Sequence, residues 1–530
     1  MSEKKERSLA GISGIVGIAT LISKVFGLVR EQIVAAAFGV GAVVNAYSYA
    51  YVIPGFLLIL LGGINGPFHS ALISILAKRD KKEAAPLVET VTTLVSLILI
   101  IVAIFLFVFA SFFIDVLAPG LQNDVREMAI LQLQIMAPLA IFAGLIGIGF
   151  GTLNAANVYW LPSISPLFSS ITLVIGVGSL LWFLGDRLDA PEYVKLGSIV
   201  LAGTTLIGGI LQWLVQLPPQ AKAGMGKLRL RFNWKIPGVM DVMKVMAPAT
   251  LSSGMLHINV YTDLYFASYI ENAAAAMRYA NFIVLTPLGI ISNMILVPFM
   301  PVFSRLATPE NWPELKLRIR QGMLLTALTM LPLTAIFVPL GKLIVRVIYE
   351  RGMFQADASA LVAPVLMAYG LGMFFYLARD VLVRVFYALG DGETPFRISI
   401  ANIFLNAILD YFLVNAFQTP GLVFATIGVN VVSLFLMLGI LHKRLNGFPL
   451  DEWGKALFGL VIATTVAGFG SWGISLGFTQ ILGDNNLLLM LINLTISSTI
   501  ALVIFALIAM QLKLPEVDML TNRIHQKLKI

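Results

Sequence analysis

"NNLLLMLINLTISSTIALVIFALIAMQL", Asn485 to Leu512, contains no Asp, Glu, Lys or Arg. About 20 mostly apolar residues are enough to cross the hydrocarbon of a bilayer as a helix. The apolar residues here are continuous and do not alternate with polar ones, so the stretch predicts a membrane helix and not a barrel strand.

The rest of the chain repeats this pattern. Of 530 residues, 58% are hydrophobic and 12% charged, and mean hydropathy is +0.90. That is more apolar surface than a soluble fold can hide. Further charge-free runs cover Gln32–Ala77, Met128–Gly185, Gln321–Gly341 and Ile427–Leu441. Several are long enough for two helices, with breaks at Gly39–Gly41 and in "LNAANVYWLP", Leu153–Pro162. The predicted fold is all-α and polytopic, with about fourteen transmembrane helices. They run roughly over 9–38, 44–77, 88–114, 128–153, 158–184, 195–220, 240–269, 273–304, 320–345, 357–386, 396–416, 419–441, 456–480 and 485–511.

Lys and Arg set the orientation. They cluster before the first span (Lys4, Lys5, Arg7), after even-numbered spans (Lys78 to Lys82, Lys222 to Lys235, Arg305 to Arg320, Lys443 and Arg444) and after the last span (Arg523, Lys527, Lys529). This pattern places both termini in the cytoplasm. It also accounts for the formal net charge of +8 without a nucleic-acid partner. Lys24, Arg30 and Glu31 interrupt the first apolar run, so it reads as a span and not a cleaved signal. The chain has no cysteine, which excludes disulfides and thiol catalysis.

Two stretches, Tyr49–Lys78 and Tyr279–Ala307, share a Tyr-Ala pair followed by a Pro-Phe pair (Pro67-Phe68, Pro298-Phe299) and a basic end. Their spacing equals six spans. The expected layout is an N-terminal lobe over 1–222, a C-terminal lobe over 223–445, and two appended helices with a tail over 446–530. Enzyme motifs are missing. There is no G-x-x-x-x-G-K-[ST] loop, and "GIGFG" at Gly147–Gly151 lies within a span, where small residues suit close packing. His69, His257, His442 and His525 have no zinc-ligand spacing and no hydrolase partners. No loop is long enough for a catalytic domain such as a glycosyltransferase would need. The chain is therefore expected to bind and move a substrate, and not to be an enzyme.

Charges inside spans are functional candidates, since each costs roughly 2.5–3.5 kcal/mol at the helix centre. Lys24 and Arg30 present two cations suited to an anionic headgroup, or else Arg30 pairs with Glu31 and reaches the interface. In "NIFLNAILDYFLV", Asn402 to Val414, Asn406 and Asp410 lie four apart on one helix face. Thr426 on the next span and Asp263 in "INVYTDLYFASY" fall at a similar depth. This oxygen-rich set suits a sodium ion or a proton. In the alternative, Asn406 and Asp410 hydrogen-bond to each other as helix glue and Asp263 lies elsewhere.

"IYERGMFQADASALVAPVLMAYGLGM…VRVFYALGDGETPFRISI", within Ile348–Ile400, resembles the signature of the MurJ, or MviN, lipid II flippases, and "ISKVFGLVREQIVAAAFGVG", Ile22–Gly41, is similar to that family's first span. The resemblance extends over essentially the whole chain. It implies a monomeric exporter of the MOP superfamily with two lobes in a V. Its substrate would be lipid II, the undecaprenyl-diphosphate-linked peptidoglycan precursor, carried from the inner to the outer leaflet of the bacterial plasma membrane. It further implies no cofactor beyond a sodium ion, with Asp263, Asn406, Asp410 and Thr426 as side-chain ligands and Leu422 at the position that supplies a backbone carbonyl. The substrate-binding residues expected are Lys24 and Arg30 at that family's first-span positions, Asn45 where the family has an aspartate, and Arg278 near the outer end of the eighth span as a replacement for a missing cation. Other arginines usual in such a cavity align with Leu58 or Ile59 and with Phe282, a glutamate with Leu285, and an aspartate with Asn45. A flippase for another polyprenyl-linked saccharide and a multidrug exporter of the same superfamily are the alternatives.

Overall fold

The computed structural model describes residues 9–63, 67–76, 81–244, 246, 250, 258–484 and 486–518. Lys4, Lys5, Arg7, Lys78, Arg79, His257, Arg523, His525, Lys527 and Lys529 lie outside the described residues, as do residues 245, 247–249 and 251–257 of the span expected over 240–269. Among the described residues, ten helices are long and apolar enough to span a bilayer, or twelve if each of two bent pairs counts as one span. The first helix, Leu9–Phe38, is additional to these and carries Lys24, Arg30 and Glu31. The chain is an all-α, multi-pass membrane protein.

The bends follow from local chemistry. Asn123–Met136 and Leu139–Ala155 meet at 42°, with Pro138 between them unable to donate a backbone hydrogen bond. Ala42–Ala50 and Val52–Gly62 meet at 45° around Tyr51. There the Tyr51 ring stacks on Tyr47 at 5.3 Å and lies over Gly55, where a Cβ would collide with it. The repeat expected from the sequence differs between its copies. Pro67 opens a short helix, Pro67–Leu76, whereas Pro298 lies inside the continuous helix Ala273–Arg305.

Contacts group the chain into two compact units. One contains the residues up to Ala275 together with Arg351–Gln355, and the other contains Ala276–Glu350 and the chain from Ala356 onward. In the first unit, Leu139–Ala155 packs against Val52–Gly62, Pro67–Leu76 and Lys81–Val108. The "GIGFG" glycines make this possible. A Cβ on Gly147 would strike the Leu61 carbonyl, and one on Gly151 would lie 3.1 Å from the His69 backbone. The neighbouring Asn154 amide nitrogen lies 2.6 Å from His69 Nε2, so His69 has a packing role. His442, in the second unit, accepts the Phe448 N–H at 2.9 Å.

The signature elements also prove to be architectural. In Arg351-Gly352-Met353-Phe354, the Met353 N–H donates to the Ala36 carbonyl at the end of the first helix, at 2.8 Å. Gly352 has φ +60°, and a Cβ there would run into that same carbonyl. In the second unit, Asp391 caps the helix Glu393–Phe417. Its carboxylate accepts the Thr394 N–H and hydroxyl, each at 2.9 Å, and a guanidinium N–H of Arg444 at 2.8 Å. Burial pushes the Asp391 carboxyl up, but the Thr394 and Arg444 hydrogen bonds outweigh it and hold the group below its usual range.

Two outcomes follow. Gly352→Ala should cost about 1–2 kcal/mol for the left-handed backbone alone, plus the collision with Ala36, and should lower the Tm of the detergent-purified protein. Asp391→Asn should cost about 1–2 kcal/mol at neutral pH. Because the folded carboxyl titrates below its unfolded value, this stabilisation is complete above the ordinary carboxylate range and disappears as pH falls through the lowered value. The Tm gap between wild type and Asp391→Asn should therefore narrow on acidification.

Candidate functional site

The Glu393–Phe417 and Thr419–Arg444 helices form a hairpin turning at Gln418, whose φ is +54°. Three contacts fix their register. Asn402 and Ser433 exchange hydrogen bonds at 2.7 and 3.0 Å. A Cβ on Gly428 would lie 3.0 Å from Leu409, and one on Gly421 would strike the Leu413 carbonyl. In this register Asp410 is level with Thr426, and Asn406 with Asn430.

Asn406 and Asp410 are fully buried. The Asn406 amide N–H donates to Asp410 Oδ2 at 2.9 Å, so the hydrogen bond of the glue reading is present. The Thr426 hydroxyl donates to the Leu422 carbonyl at 3.2 Å, and Asn430 donates to the Thr426 carbonyl at 2.7 Å. Two apposed helices thus carry the buried Asp410 carboxylate and Asn406 amide beside the half-buried Thr426 hydroxyl and the Leu422 carbonyl. These are the donors a hard monovalent cation takes inside a membrane, so the residues fit a sodium ion. Asp263 lies half-buried on Ile258–Ala267, in the other compact unit. Among the described residues no group of three His, Cys, Asp or Glu side chains could hold a metal ion.

Asn402 is the member of this row that the sequence reading passed over. The spacing i, i+4, i+8 through Asn402, Asn406 and Asp410 was the signal for it.

On the first helix, Arg30 is committed. Its guanidinium reaches Glu31 at 2.8 and 3.1 Å, and Glu31 is 1% exposed. No salt bridge joins Lys24 to any described residue, and its side chain is half-exposed. Six residues at 100° each set Lys24 and Arg30 about 120° apart around the helix axis. Asn45 is buried, and its side-chain oxygen accepts the Ala275 N–H at 3.4 Å. Arg278 is half-buried in the other unit. Where the resemblance leads one to expect further charge, Leu58 and Phe282 are half-buried, and Ile59 and Leu285 are exposed.

Comparison with known proteins identifies the family. The model described as "Lipid II flippase MurJ" matches residues 34–494. The chain is 63% identical to the "Probable lipid II flippase MurJ" of Synechocystis sp., covering 100% of this chain and 99% of that protein. It is 27% identical to the "Lipid II flippase MurJ" of Burkholderia cenocepacia, covering 88% of this chain and 89% of that one. Among solved structures, a lipid II flippase MurJ in an inward closed conformation superposes with a TM-score of 0.75 at 21% identity, covering 95% of this chain and all of that one. An inward-facing MATE transporter of the MOP superfamily gives 0.62 at 15% identity, covering 82% of this chain and 98% of that one. At these identities the two structural matches show a shared fold. Whole-length identity and the family match together establish that this chain belongs to the MurJ lipid II flippase family.

Proposed function

We propose that this protein is a lipid II flippase, moving the lipid-linked peptidoglycan precursor from the inner to the outer leaflet of a bacterial plasma membrane, with both termini cytoplasmic. The observation that carries this reading is 63% identity over the full length to a protein of that name. Transport proceeds by alternating access of a single chain. A ligand shifts such an equilibrium only through different affinities for its states.

The headgroup diphosphate engages the first helix. Lys24, which has no ion pair among the described residues, supplies the available cation there. Arg30, neutralised in part by Glu31, contributes hydrogen-bond donors and orientation more than net charge. Asn45 serves that helix's surroundings by holding the Ala275 N–H. Asn406, Asp410, the Leu422 carbonyl and Thr426 would hold a sodium ion. Bound there, the ion supplies positive charge opposite a buried carboxylate. The membrane potential is a second source of drive, worth about 2.3 kcal/mol per elementary charge at 100 mV.

The test is headgroup exposure in cells depleted of their own flippase and expressing this chain, read by a colicin-type enzyme that cuts lipid II on the outer face. Wild type should restore exposure. Lys24→Ala should abolish it at normal membrane levels. Arg30→Ala should reduce both exposure and the amount of folded protein, because Glu31 then loses its guanidinium partner. No restoration by a correctly inserted wild-type chain would overturn the lipid II assignment and favour another polyprenyl-linked saccharide.

A further inference from the structure

The loop sequence "KLRLRFNWK", Lys227 to Lys235, alternates polar residues, all basic except Asn233, with apolar ones. Its backbone lies along the start of the Lys81–Val108 helix in the same compact unit. The Lys227 N–H donates to Glu89 Oε1 at 3.1 Å and the Arg231 N–H to Thr93 Oγ1 at 3.0 Å. The Arg231 guanidinium also reaches Glu89 Oε2 at 3.4 Å. Gly226, at φ +100°, lets the chain approach: a Cβ there would lie 3.2 Å from the Ala85 carbonyl. Met225 and Val239, on either side, are buried in the unit's core with Leu87 and Val88.

Pinned in this way, the loop holds four large apolar side chains outward. Leu228 is 67% exposed, Leu230 83%, Phe232 58% and Trp234 62%. Lys227, Arg229 and Lys235 are exposed beside them, and no acidic residue falls between Lys222 and Met240. Thr93 is about 6 Å along the helix axis from Leu97, where the exposed apolar belt of Leu97, Ile98, Ile101 and Ile104 begins. The loop therefore sits at the edge of that belt. An outward row of aromatic and aliphatic side chains flanked by Lys and Arg has the composition of a membrane-surface anchor. Water is a poor environment for such a patch, and its continuity with the lipid-facing helix surface favours lipid as its cover.

We propose that Lys227–Lys235 is an interfacial anchor whose Leu228, Leu230, Phe232 and Trp234 insert into the adjacent leaflet while Lys227, Arg229 and Lys235 contact anionic lipid headgroups. Basic clusters beside a membrane helix are attracted to anionic lipid in this way.

The chain has no cysteine, so Leu230→Cys and Trp234→Cys can each carry a single nitroxide on the full-length protein in nanodiscs, which leave both membrane faces open. Glu310→Cys, exposed on the one-turn 3-10 helix Pro309–Asn311, serves as the aqueous control. Accessibility to dissolved oxygen, which concentrates in lipid, is compared with accessibility to a water-soluble nickel chelate. In discs containing phosphatidylglycerol, both labels should be oxygen-accessible and shielded from nickel, the reverse of the control, and shielding should weaken in pure phosphatidylcholine. Free access to nickel would overturn the proposal in favour of a solvated loop. Low access to both reagents would overturn it in favour of a protein covering. Shielding unchanged without phosphatidylglycerol would overturn the assignment of an anionic leaflet.

Discussion

A carboxylate inside a lipid-spanning helix has no water to fall back on, and the second compact unit is organised around that fact. Asp410 is fully buried, with the Asn406 amide donating to it from one turn below. Holding such a group requires a partner helix in fixed register, which the Asn402–Ser433 exchange and the close approaches at Gly421 and Gly428 provide. Interhelical hydrogen bonds in membranes contribute modestly each, about 0.6 kcal/mol on average. The Asn402–Ser433 exchange together with the two glycine approaches nevertheless defines one register and excludes its neighbours. The polar row thus specifies geometry as much as it adds stability.

The same economy governs the first unit, through glycine rather than polar contacts. Leu139–Ala155 is pressed between three neighbours because its glycines leave room for the backbone of Leu61 and His69. Gly352 and Met353 fasten a distant loop to the end of the first helix by one backbone hydrogen bond. The motifs most specific to the family accordingly build connections and caps. In the function proposed above, the transport role falls instead to Lys24, which joins none of these connections.

Much of the fold was legible because lipid imposes a simple rule: long charge-free runs become helices. The expected spans from 273 to 511 coincide with described helices to within several residues, and the small-residue packing at Gly147–Gly151 was read correctly. The bends at Tyr51 and Pro138 were not read, because hydropathy is blind to where the i to i−4 ladder is interrupted. At the site, Asn406 beside Asp410 followed from helical spacing alone. The Arg30–Glu31 pair was one of two readings that sequence left open, since adjacent side chains on a helix diverge unless long stems bring them together. The same spacing extended one further turn from Asp410 reaches Asn402, whose partner Ser433 on the next helix only the structure reveals.

The central claim is that the buried Asp410 row is a sodium site in a lipid II flippase. The most direct test is thermal unfolding of the purified chain against sodium concentration, with potassium replacing sodium at constant ionic strength. A ligand that binds the folded state raises stability by mass action. The account predicts a sodium-dependent rise in Tm for wild type that is absent in Asp410→Asn and weakened in Thr426→Ala. Equal stability in sodium and potassium, or the same sodium-dependent rise in Asp410→Asn, would contradict it.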